Sequence, residues 1–150
     1  MAISGETLRD VTASLYEWAL KKVPDDTQAV LARARETETN PVGRSTLTIM
    51  LKSAKAAEDR DHLVCTDVGV PTYSVKIGTR VSFSGNVRGA IAQGFADLVE
   101  RIQPPILRMV TNPLTNERKS FAGKDMPIVT FDMIDGADYV EIVCSPKALG

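Results

Sequence analysis

Apolar residues recur at helical spacing near the start of the sequence. The first stripe consists of Leu8, Val11, Leu15, Trp18 and Ala19. Residues three and four positions apart share one face of a helix, so this stripe predicts an amphipathic helix. Its apolar face is expected to lie in the core or in a subunit interface. Ser4 is the expected N-cap, and Pro24 ends the element.

Two further helices are predicted from the same periodicity. The second stripe consists of Val30, Leu31 and Ala34, and the third of Leu47, Met50, Leu51 and Ala54. Asp25 or Asp26 is expected to cap the second helix, and Asn40-Pro41 to break it. Residues 1–60 are therefore predicted to be helical, as three helices that pack on one another or on a partner.

The spacing of apolar residues changes after His62, and a strand-rich region is predicted over residues 63–150. Tyr73, Val75 and Ile77 alternate with polar residues. This alternation predicts a strand from Thr72 to Ile77 with those three residues on its buried face.

A fourth helix is predicted from Val87 to Ile102. Its apolar positions are Ile91, Phe95, Leu98 and Ile102, which are spaced four, three and four apart. Gly89 and Gly94 each weaken a helix by roughly 1 kcal/mol relative to alanine. We therefore expect that another segment of backbone approaches this helix closely at the glycines.

Two strands are predicted at the end of the sequence. Residues Ile128 to Met133 alternate, Asp135-Gly136 is a turn signal, and a second apolar segment runs from Tyr139 to Ser145. A hairpin is the expected arrangement. The predicted fold class is α+β: three N-terminal helices, then a small mixed or antiparallel sheet with one further helix, in a single domain over residues 1–150.

The charge and the apolar runs of the sequence argue against nucleic acid and membranes as partners. The formal net charge is −1, so electrostatics favour neither nucleic acid nor an anionic membrane as a partner. No apolar run approaches the length of a membrane span, and the first residues do not have the pattern of a signal peptide. We therefore expect an intracellular, cytoplasmic protein.

The sequence contains two cysteines, Cys65 and Cys144, and one histidine, His62. These residues do not complete a tetrahedral zinc site, and their spacing matches no zinc module. Cys65 has two readings on its own: a small buried apolar residue, or a thiol ligand in front of the carboxylate of Asp67. Asp67 likewise either forms an Asx-turn or lies beside a ligand. Cys144 is expected to contribute to packing.

Several segments, in this order, resemble the iron–sulfur-dependent hydro-lyase family. They are Glu36 to Arg44, the helix Leu47–Ala57, Leu63-Val64-Cys65-Thr66-Asp67-Val68-Gly69, Ser74-Val75-Lys76-Ile77-Gly78, Thr111-Asn112-Pro113-Leu114, Met126-Pro127-Ile128, Asp135 to Asp138 and Pro146-Lys147. The family includes class I fumarate hydratases and the alpha subunit of L-tartrate dehydratase. Its usual motif is Cys-Gln-Asp-Thr-Gly, followed by a strand that ends in Val-Lys-Ile-Gly. The resemblance covers nearly the whole sequence.

The resemblance implies a 4Fe-4S cluster held by three cysteines, with one iron open to the substrate. Cys65 matches the first cluster ligand, and Asp67 matches an acidic residue beside the substrate. Thr66 occupies the position of a glutamine that binds substrate in the family. The implied substrate is a small hydroxy-dicarboxylic acid of the malate/fumarate or tartrate type.

Three departures from the family pattern concern chemistry. Thr66 replaces the glutamine. The family's Gly-Val-Arg, whose arginine binds a substrate carboxylate, aligns with Gly94-Phe95-Ala96, and no motif supports Arg101 or Arg108 as a replacement. The other cluster cysteines of the family follow the Pro-Lys segment, so Cys144 matches neither of them. This chain is therefore expected to hold an incomplete ligand set.

Two functions are consistent with these residues. The first is the N-terminal domain or fragment of a hydro-lyase, inactive as an isolated chain, with no catalytic base assigned here. It would be completed by a C-terminal part or a second subunit in a homo- or hetero-oligomer. The second is a diverged, non-catalytic domain of the same fold that serves assembly or regulation. Retention of Cys65 and Asp67 favours the first function, and the changes at Thr66 and Ala96 favour the second.

Overall fold

In a computed structural model of the protein, the structure describes residues 2–65, 69–112, 114–120 and 126–147. The fold is α+β, as predicted. The elements are β1 (Ala2–Ser4), α1 (Gly5–Lys21), α2 (Asp25–Thr37), α3 (Pro41–Asp59), β2 (Val70–Gly78), β3 (Ser82–Ser84), α4 (Val87–Arg101), β4 (Met109–Thr111), β5 (Arg118–Ser120), β6 (Ile128–Ile134) and β7 (Val140–Lys147). Among the described residues, no helix is both long and apolar enough to cross a membrane.

The chain divides into two compact units. The first contains Met1–Ala19 and Thr66–Gly150, and the second contains Leu20–Cys65. The single domain predicted for residues 1–150 stays a prediction, because contacts group residues without testing which of them fold together.

The larger sheet belongs to the first unit and has the strand order β6-β2-β7. β2 pairs in parallel with β6 and antiparallel with β7, so the predicted mixed sheet is confirmed. The predicted hairpin between the last two strands is wrong, because β2 lies between them. Two shorter pairings, β1 with β3 and β4 with β5, complete the sheets of the described residues.

Gly78 explains how the connection from β6 to β7 passes the end of β2. A Cβ atom at Gly78 would lie 2.7 Å from the carbonyl oxygen of Tyr139 and 2.7 Å from the carbonyl carbon of Ala137. The Gly78 N–H donates to the Tyr139 carbonyl oxygen at 3.0 Å. Because glycine has no side chain, the connection crosses at hydrogen-bonding distance and delivers β7 to the other side of β2.

The core of the first unit lies between the sheet and the helices α1 and α4. Tyr73 and Val75 of β2 are buried, as predicted. The predicted apolar face of α4 is also confirmed, since its residues are all buried: Ile91, Phe95, Leu98 and Ile102. Tyr16 of α1 packs edge-on against Phe95, with 5.0 Å between ring centroids.

The apolar stripe of α1 lies only partly in the core. Leu8 is buried, whereas Val11 is 48% exposed and Trp18 is 64% exposed, so the expected role of these two in a subunit interface stays a prediction. The buried positions of α1 are Leu8, Thr12, Ala13, Tyr16, Leu20 and Lys21. Thr12 tolerates burial because its hydroxyl donates to the Leu8 carbonyl oxygen at 2.8 Å. The predicted cap is confirmed, since Ser4 Oγ accepts from the Thr7 N–H at 3.0 Å.

The second unit contains the helices α2 and α3. The predicted aspartate cap of α2 is wrong: its N-cap is Pro24, which forms no side-chain cap hydrogen bond. Asn40 caps α3, with its side chain accepting from the Val42 N–H at 2.9 Å, and Pro41 occupies the first turn. Proline is favoured there because the first N–H groups of a helix have no partner within it.

Candidate functional site

Cys65 is the last residue of the second unit, and it is exposed. The reading of Cys65 as a buried apolar residue is therefore wrong. Thr66 and Asp67, the other two residues predicted for the site, lie outside the described residues, so their roles stay predictions. Neither cysteine forms a disulfide.

The segment that leads to Cys65 begins with a Schellman motif at the end of α3. The His62 N–H donates to the Ala57 carbonyl oxygen at 2.8 Å, and the Asp61 N–H donates to the Glu58 carbonyl oxygen at 3.3 Å. Asp61 has a φ of 54°, in the left-handed region. This pair of bonds satisfies carbonyl groups that the helix leaves without partners at its end.

The same segment is tied to the C-terminal turn of α1. The Val64 N–H donates to the Leu20 carbonyl oxygen at 2.9 Å. Lys21 Nζ lies 3.0 Å from Asp61 Oδ2. Cys65 therefore follows directly after a residue whose backbone is anchored to α1.

The neighbouring Lys22 of the same unit forms ion pairs with two carboxylates. Lys22 Nζ is 3.2 Å from Asp25 Oδ1 and 3.3 Å from Glu58 Oε1. Hydrogen bonds to Asp25 and then to Glu58 raise the pKa of Lys22 above its ordinary value. Sequence analysis did not pair Lys22 with Asp25 or Glu58. The pairing of Lys21 with Asp61 could not be predicted from a local pattern, because the two residues are 40 positions apart.

The motif continues in the first unit with Gly69. This residue is buried, has a φ of 59° and forms an isolated bridge with Lys147 before β2 begins at Val70. A left-handed φ favours glycine, because a side chain there is strained. The glycine of the motif therefore has a structural reason that does not depend on any ligand.

Cys144 lies on β7 beside the aromatic core. It pairs in register with Tyr73, and its Sγ donates to the Leu15 carbonyl oxygen at 3.5 Å. Burial raises the pKa of Cys144 from 9.0 to about 11. A half-buried thiol that bonds a backbone carbonyl agrees with the predicted packing role.

Among the described residues, Cys65 is the exposed thiol and Cys144 is half-buried. Within the ranges that the structure describes, no group of three or more His, Cys, Asp or Glu side chains is arranged to hold a metal ion. Iron–sulfur clusters are held mainly by thiolates. The exposed Cys65 fits the role of one ligand to a cluster shared with other residues, whereas Cys144 does not fit it.

The two arginines that were considered for carboxylate binding each have a glutamate as partner. Arg101 Nη1 lies 2.8 Å from Glu17 Oε2, and Arg108 Nη1 lies 3.1 Å from Glu100 Oε2. We assign no role in substrate binding to either of them.

The segment Glu36 to Arg44 contains the end of α2, the connection over residues 38–40 and the start of α3. Glu38 Oε1 accepts from the Asn40 N–H at 2.8 Å, and Asn40 in turn caps α3. A Cβ at Gly43 would lie 2.9 Å from the Glu38 carboxyl group. A cleft of about 610 Å³ follows this connection and is lined by Glu36, Thr37, Glu38, Thr39, Pro41, Arg44, Ser45 and Thr48. These contacts give the motif a structural role in turning the chain.

Comparison with known proteins identifies the family. Residues 9–150 match the family described as fumarate hydratase (Fumerase). The chain belongs to the fumarate hydratase family. This membership confirms the predicted resemblance and makes the chain a member of a hydro-lyase family.

Relatives of this fumarate hydratase family member are alpha subunits of dehydratases. A protein of Methanocaldococcus jannaschii named as an L(+)-tartrate dehydratase subunit alpha is 28% identical over 147 residues, which cover 95% of this chain and 51% of the relative. The L(+)-tartrate dehydratase subunit alpha of Escherichia coli (strain K12) is 24% identical over 137 residues, which cover 90% of this chain and 44% of the relative. The chain thus spans about half the length of the curated relatives that it matches.

Proposed function

We propose that this chain is the N-terminal part of a 4Fe-4S-dependent hydro-lyase. The proposed reaction is the reversible dehydration of a small hydroxy-dicarboxylic acid of the malate/fumarate or tartrate type. The observation that carries the proposal is the family match over residues 9–150, together with two relatives that are named L(+)-tartrate dehydratase alpha subunits. The exposed thiol at Cys65 supports it, because a cluster ligand has to be accessible.

We assign one ligand of the cluster to this chain. Cys65 would donate a thiolate, Asp67 would orient substrate or water, and Thr66 would contact the substrate. When bound, a cluster with one open iron supplies a Lewis acid that polarises a hydroxyl or carboxylate oxygen. The Val64 N–H bond to the Leu20 carbonyl oxygen anchors the residue directly before Cys65.

The remaining ligands and the catalytic base come, in this proposal, from other residues. They would belong to a C-terminal part or a second subunit of a homo- or hetero-oligomer. The relatives support this, because each is about twice the length matched here and each is named as an alpha subunit. The proposal places the protein in the cytoplasm, where reducing conditions keep thiols available to iron.

A second candidate is a non-catalytic domain of the same fold that serves assembly or regulation. The changes from the family pattern favour it: Thr66 replaces a glutamine, and Ala96 stands where the family has an arginine. Arg101 and Arg108, the two arginines considered as replacements, are each paired with a glutamate instead. The two candidates differ in whether Cys65 binds iron.

Reconstitution with iron and sulfide tests the proposal. The chain is purified anaerobically, with and without a polypeptide that covers the rest of the relatives' length, and the visible spectrum is recorded. Cys65→Ala is compared with Cys144→Ala, which makes the same chemical change at the thiol to which we assign no iron. We expect cluster absorbance in the complex, its loss in Cys65→Ala and its retention in Cys144→Ala.

The alternative results are equally informative. Absorbance that survives Cys65→Ala would overturn the assignment of this ligand. If the complex forms but binds no cluster in any variant, the non-catalytic function is favoured instead. Turnover of malate, fumarate and L-tartrate by the reconstituted complex then identifies the substrate.

A further inference from the structure

The two ends of the second unit, where the chain enters and leaves it, lie side by side. Entry is through the last turn of α1 at Leu20, and exit is through Cys65. The Val64 N–H bond to the Leu20 carbonyl oxygen, 2.9 Å long, joins the two. Any motion of the Cys65 segment away from α1 must break this bond or the neighbouring ion pair.

Asp61 occupies a position where glycine is the usual residue. It is the residue that follows the C-cap Arg60 of α3, and its φ of 54° is left-handed. Glycine adopts this conformation without strain, whereas aspartate adopts it at some cost. The turn alone therefore gives no reason to prefer aspartate, and the carboxylate must be explained by its contacts.

The contact that explains the carboxylate is with Lys21. The side chain of Lys21 is only 11% exposed, whereas that of Asp61 is 82% exposed, and the charged atoms are 3.0 Å apart. A nearly buried ammonium is costly unless an opposite charge accompanies it. The nearly buried side chain of Lys21 has little freedom to move. The ion pair therefore holds the exposed Asp61 at a fixed place beside α1.

We infer that Lys21 and Asp61 are positioning residues that hold the Cys65 segment against the C-terminal turn of α1. The inference rests on the proposed function of Cys65, since it gives the ion pair the task of placing a ligand. Asp61 is three residues before the anchored Val64, and Cys65 is the residue after it. The ion pair and the Val64 hydrogen bond thus tie the same segment to the same turn of α1.

The variant Asp61→Gly separates the two possible roles of Asp61. It keeps, and even favours, the left-handed turn, but it removes the carboxylate. If Asp61 serves the turn alone, Asp61→Gly holds the segment at least as well as the natural residue. If the carboxylate positions the segment, Asp61→Gly loosens it. Lys21→Met removes the same ion pair from the other side, and Lys21→Arg is the conservative variant that restores it.

Amide hydrogen exchange measures how often the backbone of this segment opens, and it does not require a bound cluster. We expect amide exchange over residues 61–65 to be about tenfold faster in Asp61→Gly and in Lys21→Met, and near the original rate in Lys21→Arg. Exchange in β2 is the control for global stability and is expected to stay unchanged. Glu58→Gln removes the more exposed pair with Lys22 and is expected to have little effect, as a matched control.

Cluster loading of the reconstituted complex is the second measurement. We expect less iron per chain in Asp61→Gly and Lys21→Met, with recovery in Lys21→Arg. Unchanged exchange in both variants would overturn the inference. Faster exchange with unchanged loading would also overturn it, provided that Cys65→Ala abolishes loading. If Cys65→Ala leaves loading intact, the proposed function fails, whatever the exchange data show.

Discussion

Gly94 on α4 and Arg9 on α1 meet at a point where there is no room for a side chain. A Cβ at Gly94 would collide with the Arg9 carbonyl oxygen and would lie 2.8 Å from Thr12 Oγ1. The backbones of the two helices therefore meet directly at this crossing, with the Thr12 hydroxyl beside them. The helix propensity lost by placing a glycine within α4 is offset by the close packing that it permits.

Gly94→Ala is expected to destabilise the protein by about 1–3 kcal/mol, because the helices must separate to admit the methyl group. The free energy of unfolding is measured by urea denaturation. Gly5→Ala is the matched control, since a Cβ there would lie 3.6 Å from its nearest neighbour, the Ser84 carbonyl oxygen, which is an ordinary contact. Equal stability of the two variants would contradict the packing described here.

The two buried tyrosines are expected to respond differently to removal of their hydroxyl groups. Tyr73 Oη donates to the Thr12 carbonyl oxygen at 3.1 Å, so Tyr73→Phe should cost about 1 kcal/mol. Tyr16 Oη is buried and has no hydrogen-bond partner among the described residues. Tyr16→Phe should therefore be neutral or stabilising. Urea denaturation of both variants provides the comparison, and a larger loss for Tyr16→Phe would contradict it.

The two cysteines are expected to react with iodoacetamide at very different rates. Cys65 is exposed, whereas Cys144 is half-buried and donates to the Leu15 carbonyl oxygen. A pKa of about 11 for Cys144 also lowers its thiolate fraction at neutral pH about a hundredfold relative to an ordinary thiol. Mass spectrometry of the labelled peptides at neutral pH should show Cys65 modified first. Comparable rates in the folded protein would be inconsistent with the burial of Cys144.

Stability is expected to fall as the pH rises above about 9. The pKa of Cys144 is 9.0 in an ordinary environment and about 11 in the folded protein, so the unfolded chain loses this proton first. Its contribution is fully present below pH 9 and is lost as the pH rises through 11. Burial raises the pKa values of Tyr16 and Tyr73 in the same direction.

Urea denaturation between pH 8 and about 11 measures this dependence. Cys144→Ala removes one of the three groups and should reduce the slope of stability against pH. A slope that is unaffected by Cys144→Ala would show that the thiol is not protected by the fold.

Periodicity predicts the buried residues of a helix or strand correctly where its apolar face packs against the core. The α4 stripe from Ile91 to Ile102 and the alternation at Tyr73 and Val75 are confirmed, because burial there follows the pattern. The face of α1 is different. Thr12 can be buried because its hydroxyl donates to a carbonyl oxygen of its own helix. Trp18, an apolar residue that the periodicity places on the same stripe as Leu8, is 64% exposed.

Local spacing and motif order predicted the fold class, the family and the cysteine on which the proposed chemistry depends. Both are properties of neighbouring residues and need no distant contacts. Three other features are seen only in the folded chain: β2 between β6 and β7, Cys144 beside the aromatic core, and the pairing of Lys21 with Asp61 from 40 residues away. Each of them joins residues that are far apart in the chain, because burial and pairing are settled only when the elements pack.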